Sequence, residues 1–150
     1  LEVAMEVSVN SSRATYSINN GCRGTIIQCN QDTMVGALMN LVTNSIQSRS
    51  SHVEIAINAS IVDNSRLQIM ITDNGPGFDK SVLRSLEEPF FTTKSQGTGL
   101  GLAVVRAVAQ AHHGEFELRS KPGVGTVAVL LLPVLTIPSS TTIEFGSQNL

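Results

Sequence analysis

At 150 residues, with 41% hydrophobic and 15% charged residues, the sequence has the size and apolar content of one globular domain with its own core. A net charge of -2 gives no global attraction to nucleic acid or anionic lipid, and no apolar run reaches the roughly 18 residues of a membrane span. There is no signal-peptide pattern, and Cys22 and Cys29 have neither metal-pair nor CxxC spacing, so the expectation is a cytoplasmic protein with reduced thiols and no nucleic-acid partner.

The first 31 residues read as strand-like. Glu2 to Val9 alternates, Asn19-Asn20-Gly21 marks a turn, and Thr25 to Cys29 reads as another short strand. Asp32 is placed to cap a helix from Thr33 to Gln47, whose Val35, Leu38, Met39, Leu41, Val42 and Ile46 build an apolar surface. Gly36, Asn40, Thr43, Asn44 and Gln47 recur at spacings of three and four, so they share one polar stripe. A solvated face usually carries Lys and Glu, yet this helix has no charge after Asp32 and spends two poor helix formers on the stripe. The stripe therefore points to a ligand.

Val53 to Asn58 alternates as a strand, and Asn64-Ser65 turns into the next one. There Leu67, Ile69 and Ile71 share a face, and the strand ends in Asp73 before Asn74-Gly75-Pro76-Gly77. A short helix over Asp79 to Leu86 precedes Glu88-Pro89-Phe90-Phe91-Thr92-Thr93-Lys94 and a glycine-rich stretch, Ser95 to Gly101. Leu100 to His113 is an apolar helix, with Gly114 as its stop. Phe116 and Leu118 face inward on one strand and Val127, Val129 and Leu131 on the next, joined by the hairpin Lys121-Pro122-Gly123-Val124-Gly125. Residues 136–150 lose all pattern and read as a loose tail, leaving 1–135 as the domain. This order predicts an α/β fold: a two-layer sandwich of a mixed, largely antiparallel sheet covered on one face by helices.

The chemistry follows from residue types. Gly97-Thr98-Gly99-Leu100-Gly101-Leu102 runs directly into a helix, where bare N–H groups and close backbone approach suit phosphate. It is neither a P-loop nor the Rossmann fingerprint. Asp73 can accept from an exocyclic amine such as that of adenine. Asn44 offers an oxygen suited to a Mg²⁺ that keeps most of its waters, and Lys94 can neutralise terminal phosphate charge. Base anchor, metal holder, phosphate cradle and cover are the parts of a phosphoryl-transfer site. The sequence has no nucleophile-elbow triad and no zinc-spaced histidine cluster.

Taken in register, these motifs resemble the catalytic ATP-binding domain of bacterial sensor histidine kinases, members of the GHKL ATPase/kinase superfamily, over about residues 25 to 133. Asn40-Leu41-Val42-Thr43-Asn44 resembles the N box and Asp73-Asn74-Gly75-Pro76-Gly77 the first glycine box. Glu88 to Lys94 resembles the F box, Gly97 to Leu102 the second glycine box, and Gly123-Val124-Gly125-Thr126 the third. The resemblance implies the Bergerat-type fold, ATP and Mg²⁺. Asp73 would bind adenine, Asn44 the metal, and Gly75 and Gly77 would shape the base pocket. Phe90, Thr93, Lys94, Gly97, Thr98, Gly99, Leu100, Gly101, Leu102 and Thr126 would complete the nucleotide site, with Asn40, Asn44 and Lys94 serving catalysis. The box wording is closest to kinases of flagellar or nitrogen regulation, the flagellar branch preferred.

The departures are informative. Gln47 and Ser48 stand where many members carry a basic residue and an aromatic, and Glu87 where the F box often begins with phenylalanine. None of His52, His112 and His113 has the context of the family's phosphoacceptor. The resemblance therefore implies a monomeric catalytic piece of a homodimeric kinase, whose partners are its own dimerisation and phosphoacceptor domain and a response-regulator receiver domain. Alternatives are a GHKL ATP hydrolase, an anti-sigma-type serine kinase, or a non-catalytic nucleotide-binding module. A hydrolase of this superfamily would have a glutamate one turn before the metal ligand, where Asn40 stands and cannot act as a general base.

Overall fold

A computed structural model describes residues 13–22, 24–49, 51–86 and 99–135. The chain runs β1 (Ala14–Asn20), α1 (Gln31–Gln47), β2 (Val53–Val62), β3 (Arg66–Asp73), α2 (Lys80–Ser85), α3 (Gly101–Ala111), β4 (Glu115–Lys121) and β5 (Gly125–Pro133). The five strands form one sheet in the order β1-β2-β3-β5-β4. Only β1 and β2 pair in parallel; β2–β3, β3–β5 and β4–β5 are antiparallel. The parallel pair needs a crossover, which α1 supplies, whereas the antiparallel neighbours β2–β3 and β4–β5 need only tight turns. At the β2–β3 turn Asp63 and Asn64 both adopt left-handed φ, 53° and 52°, a conformation that short polar side chains tolerate.

The core lies between the sheet and the two longer helices. Met34, Ala37, Leu38, Leu41 and Val42 of α1 meet Val53, Ile55 and Ile57 of β2 and Leu67, Ile69 and Ile71 of β3. Val105 and Ala109 close it from α3, and Phe116 and Leu118 pack against it from β4. The expected sandwich is borne out. Among the described residues, no helix is long and apolar enough to cross a membrane, and Cys22 and Cys29 are free thiols.

Several local expectations are corrected. Thr25 to Cys29 is not a strand; this segment instead ties its backbone piecemeal, with Thr25 N–H bonded to Cys22 O and Ile26 O to Leu135 N–H. The cap of α1 is Asn30, whose side chain accepts from Thr33 N–H at 3.0 Å, so Asp32 lies inside the first turn. On β5 the inward residues are Ala128, Leu130 and Leu132. A strand's side chains alternate, so Val127, Val129 and Leu131 take the outer face. Both faces of this strand are apolar, which is why its pattern alone does not fix the inward set. β2 also runs on to Val62, beyond Asn58. The first 12 residues, the phenylalanine segment and the tail at 136–150 lie outside the described residues.

The stop of α3 is a Schellman arrangement built on histidine. His113 N–H bonds Gln110 O at 3.0 Å and Gly114 N–H bonds Ala109 O at 2.8 Å, with His113 at φ 57°. Gly114 is needed for space, because a Cβ there would overlap Leu131 O and approach Leu132 Cδ2 at 2.9 Å. Two substitutions should therefore move stability in opposite directions. His113→Gly relieves a left-handed conformation and should raise unfolding free energy by about 0.5–1 kcal/mol. Gly114→Ala should lower it by about 1–3 kcal/mol through overpacking. Urea denaturation checks both, and a stabilising Gly114→Ala would contradict the packing.

Candidate functional site

β3 ends the strand pattern on a carboxylate. Asp73 shares the inward face with Leu67, Ile69 and Ile71 but lies beyond the apolar core, at 7% exposure. Burying a carboxylate costs several kcal/mol unless donors meet it. Here Gly75 N–H donates to Oδ1 and the Ser45 hydroxyl of α1 donates to Oδ2, both at 2.9 Å. Across β5, Thr126 pairs with Asp73 and so lies beside it on the same face, with Ser120 of β4 next in the row.

The loop after Asp73 is clamped by the β4–β5 hairpin. Ser120 Oγ accepts from Phe78 N–H and donates to Gly125 O, both at 2.9 Å, leaving the Thr126 hydroxyl to donate to Ser120 at 2.9 Å. Gly123 N–H bonds Pro76 O at 2.7 Å. Gly77 needs its glycine twice over: its φ is 67°, and a Cβ would overlap Lys121 O. At Gly75 the reason is space, since a Cβ would sit 2.7 Å from Asp73 Oδ1 and overlap Ser48 Oγ. Asp79 then caps α2. Its carboxylate accepts from the Ser81 hydroxyl and from the Val82 and Ser81 amides, and these bonds hold it below the usual carboxylate range.

Opposite Asp73, α1 and α3 meet. Asn40 and Asn44 are half-buried, and a Cβ on Gly101 would lie 3.6 Å from Asn44 Nδ2 and 3.9 Å from Asn40 Oδ1. The stripe read from sequence thus abuts the glycine start of α3, near Gly99 with its left-handed φ of 68°. Leu100 is exposed, Leu102 packs against the core, and Gln47 at the end of the stripe faces solvent. Phe90, Thr93, Lys94, Gly97 and Thr98 lie outside the described residues.

Sequence reasoning missed Ser45 and Ser120. Ser45 falls on the apolar face of α1, three and four residues after Val42 and Leu41, so its signal was a lone hydroxyl in a buried stripe. Among the described residues, no group of three or more His, Cys, Asp or Glu could hold a metal. A single amide oxygen fits a cation that otherwise keeps water and phosphate oxygens. A separate groove of about 390 Å³, lined by Thr15, Ser17, Glu54, Ala56, Thr72 and Val124 among others, opens on the sheet's other face.

Comparisons with known proteins bear on the family and the fold. Residues 29–136 match the family model described as histidine kinase-, DNA gyrase B- and HSP90-like ATPase. The sensor protein kinase FleS of Pseudomonas aeruginosa is 44% identical over 135 residues, 90% of this chain and 33% of that protein. The signal transduction histidine-protein kinase AtoS of Escherichia coli is 37% identical over 108 residues, 72% of this chain and 18% of that protein. This chain thus spans a third or less of the length of these relatives. In fold it is similar to the mycobacterial sensor histidine kinase MprB, with a TM-score of 0.78 at 20% identity, covering 89% of this chain and 92% of that one.

The hairpin clamp gives a direct test. Gly125 approaches Asp73 so closely that a Cβ would overlap Asp73 O and sit 2.9 Å from its carbonyl carbon. Gly125→Ala should cost about 1–3 kcal/mol in urea unfolding and shift the Asp73, Asn74 and Gly75 amide resonances. Unmoved resonances would mean that the hairpin does not position the carboxylate.

Proposed function

The chain belongs to the family of histidine kinase-, DNA gyrase B- and HSP90-like ATPases, and from that premise we propose that it is the ATP-binding catalytic domain of a sensor histidine kinase. One observation carries the reading. A buried carboxylate at the end of β3, a paired-asparagine stripe on α1 and the glycine start of α3 converge on one side of the sheet. Bound ATP supplies the γ-phosphoryl group for transfer, with Mg²⁺ shielding its charge.

In this reading Asp73 accepts the adenine amine, while Gly75 and Gly77 keep side chains out of the base pocket. Asn44 holds Mg²⁺ through its amide oxygen. The amides at the start of α3, with Gly99, Leu100, Gly101 and Leu102, face the phosphates. Thr126 lines the base pocket beside Asp73. Phe90, Thr93, Gly97 and Thr98 join the site on their motif match, as does Lys94, which offsets charge developing on the transferred group. Asn40 orients the complex, and its inability to take a proton from water favours transfer over hydrolysis.

The acceptor lies on another domain. His52 Nε2 is bonded to the Thr15 hydroxyl at 2.7 Å, His112 is bonded through both ring nitrogens, and His113 forms the helix stop. These are structural positions. The partners are then the kinase's own dimerisation and phosphoacceptor domain and a response-regulator receiver domain, with this domain cytoplasmic and the full-length kinase a homodimer. The box wording supports the flagellar-regulatory type.

Two measurements test the assignment. Asp73→Ala should weaken ATP binding about tenfold, the loss of a charged hydrogen bond of roughly 1.5 kcal/mol. Equal calorimetric affinity for ATP and GTP in the unmutated chain would sink the base assignment. Asn44→Ala should abolish Mg²⁺-dependent transfer to the kinase's histidine-bearing domain, with circular dichroism unchanged. Efficient self-labelling on His52, His112 or His113 would instead place the acceptor here.

A further inference from the structure

Ser45 touches neither phosphate nor metal in this assignment, yet among the described residues it makes one of the two hydrogen bonds to the Asp73 carboxylate. The serine is 6% exposed and the aspartate 7%, and their bond is 2.9 Å. An aspartate's terminal torsion is broad, so its rotamer does not by itself fix the plane of the carboxylate. Donors at both oxygens do fix it: Ser45 Oγ at Oδ2 and Gly75 N–H at Oδ1. Each oxygen keeps acceptor capacity beyond its protein donor, and the plane decides where that capacity points. Ser45 also spends its only proton on Asp73, so it has none to offer an incoming carbonyl oxygen.

We propose that Ser45 is a specificity-determining positioning residue. It holds the Asp73 carboxylate so that the remaining acceptor capacity meets the 6-amino group of an adenine nucleotide and opposes the 6-oxo group of a hypoxanthine or guanine one. This rests on the nucleotide reading above. A carboxylate tethered at one oxygen can turn its plane away from a 6-oxo group. One held at both oxygens confronts it, acceptor against acceptor, and rejection of the wrong base is the larger part of selectivity.

A bond that only fastened α1 to β3 would affect every nucleotide alike, and this separates the two roles. Calorimetry on the full chain would compare ATP, inosine triphosphate and purine riboside triphosphate, which lacks any 6-substituent. Ser45→Ala should shrink the preference for ATP over inosine triphosphate about fivefold, part of what a hydrogen bond to a charged group contributes. Affinity for purine riboside triphosphate should change less than twofold, and Ser45→Thr should restore the preference. If Ser45→Ala fails to fold, Ser45→Cys, of similar shape and a weaker donor, is read by the same ratio. An unchanged ratio, or an equal loss for all three nucleotides, overturns the role of Ser45 while leaving Asp73 as the base anchor. A wild-type chain with no preference for ATP, or an Asp73→Asn variant that keeps it, overturns the adenine reading and this inference together.

Discussion

A carboxylate almost wholly withdrawn from water must be met by donors, and much of the site follows from meeting that demand at Asp73. One donor comes from its own chain two residues on, which requires the backbone to turn back sharply at Gly75. The other comes from α1, which requires that helix to lie against the end of β3 in a fixed rotation. That rotation puts Asn40 and Asn44, on the adjacent stripe, beside the start of α3. The position of the stripe is thus a consequence of where the carboxylate finds its second bond.

The hairpin plays the complementary part. Ser120 joins the strand row to the loop by accepting from Phe78 and donating to Gly125, and glycines at 77 and 125 let two backbones come closer than any side chain permits. The carboxylate is consequently fixed from both sides: by α1 through its side chain, and by β5 through its own carbonyl. Glycine pairs of this kind act over long sequence separations. They connect residues 73–77 with residues 121–125, segments that are remote in the chain and contiguous in space.

The sequence was most informative where one periodicity had one interpretation. The face shared by Leu67, Ile69 and Ile71, the asparagine stripe, and the strand end at Asp73 all lie where alternation or helical spacing put them. It was least informative where both faces of an element are apolar, as on β5, where Val127, Val129 and Leu131 compete with Ala128, Leu130 and Leu132. It also misplaced two boundary residues because the competing candidates were chemically alike. Asn30 and Asp32 are both good caps, and the left-handed stop fell to His113 although a glycine follows it. The hydroxyls of Ser45 and Ser120 were invisible because each is tied to a segment remote in the chain, Ser45 to Asp73 and Ser120 to Phe78, 28 and 42 residues away.

His112 ties the far ends of the two helices together. Its Nδ1 donates to Val108 O at 2.7 Å and its Nε2 accepts from Asn30 N–H at 2.9 Å, which requires the neutral ring. The end of α3 is thus joined to the beginning of α1, while the beginning of α3 lies against the asparagines near the other end of α1. Two antiparallel helices bonded at one end and in close contact near the other resist sliding and splaying. Asn40, Asn44 and the first turn of α3 are then parts of one rigid body.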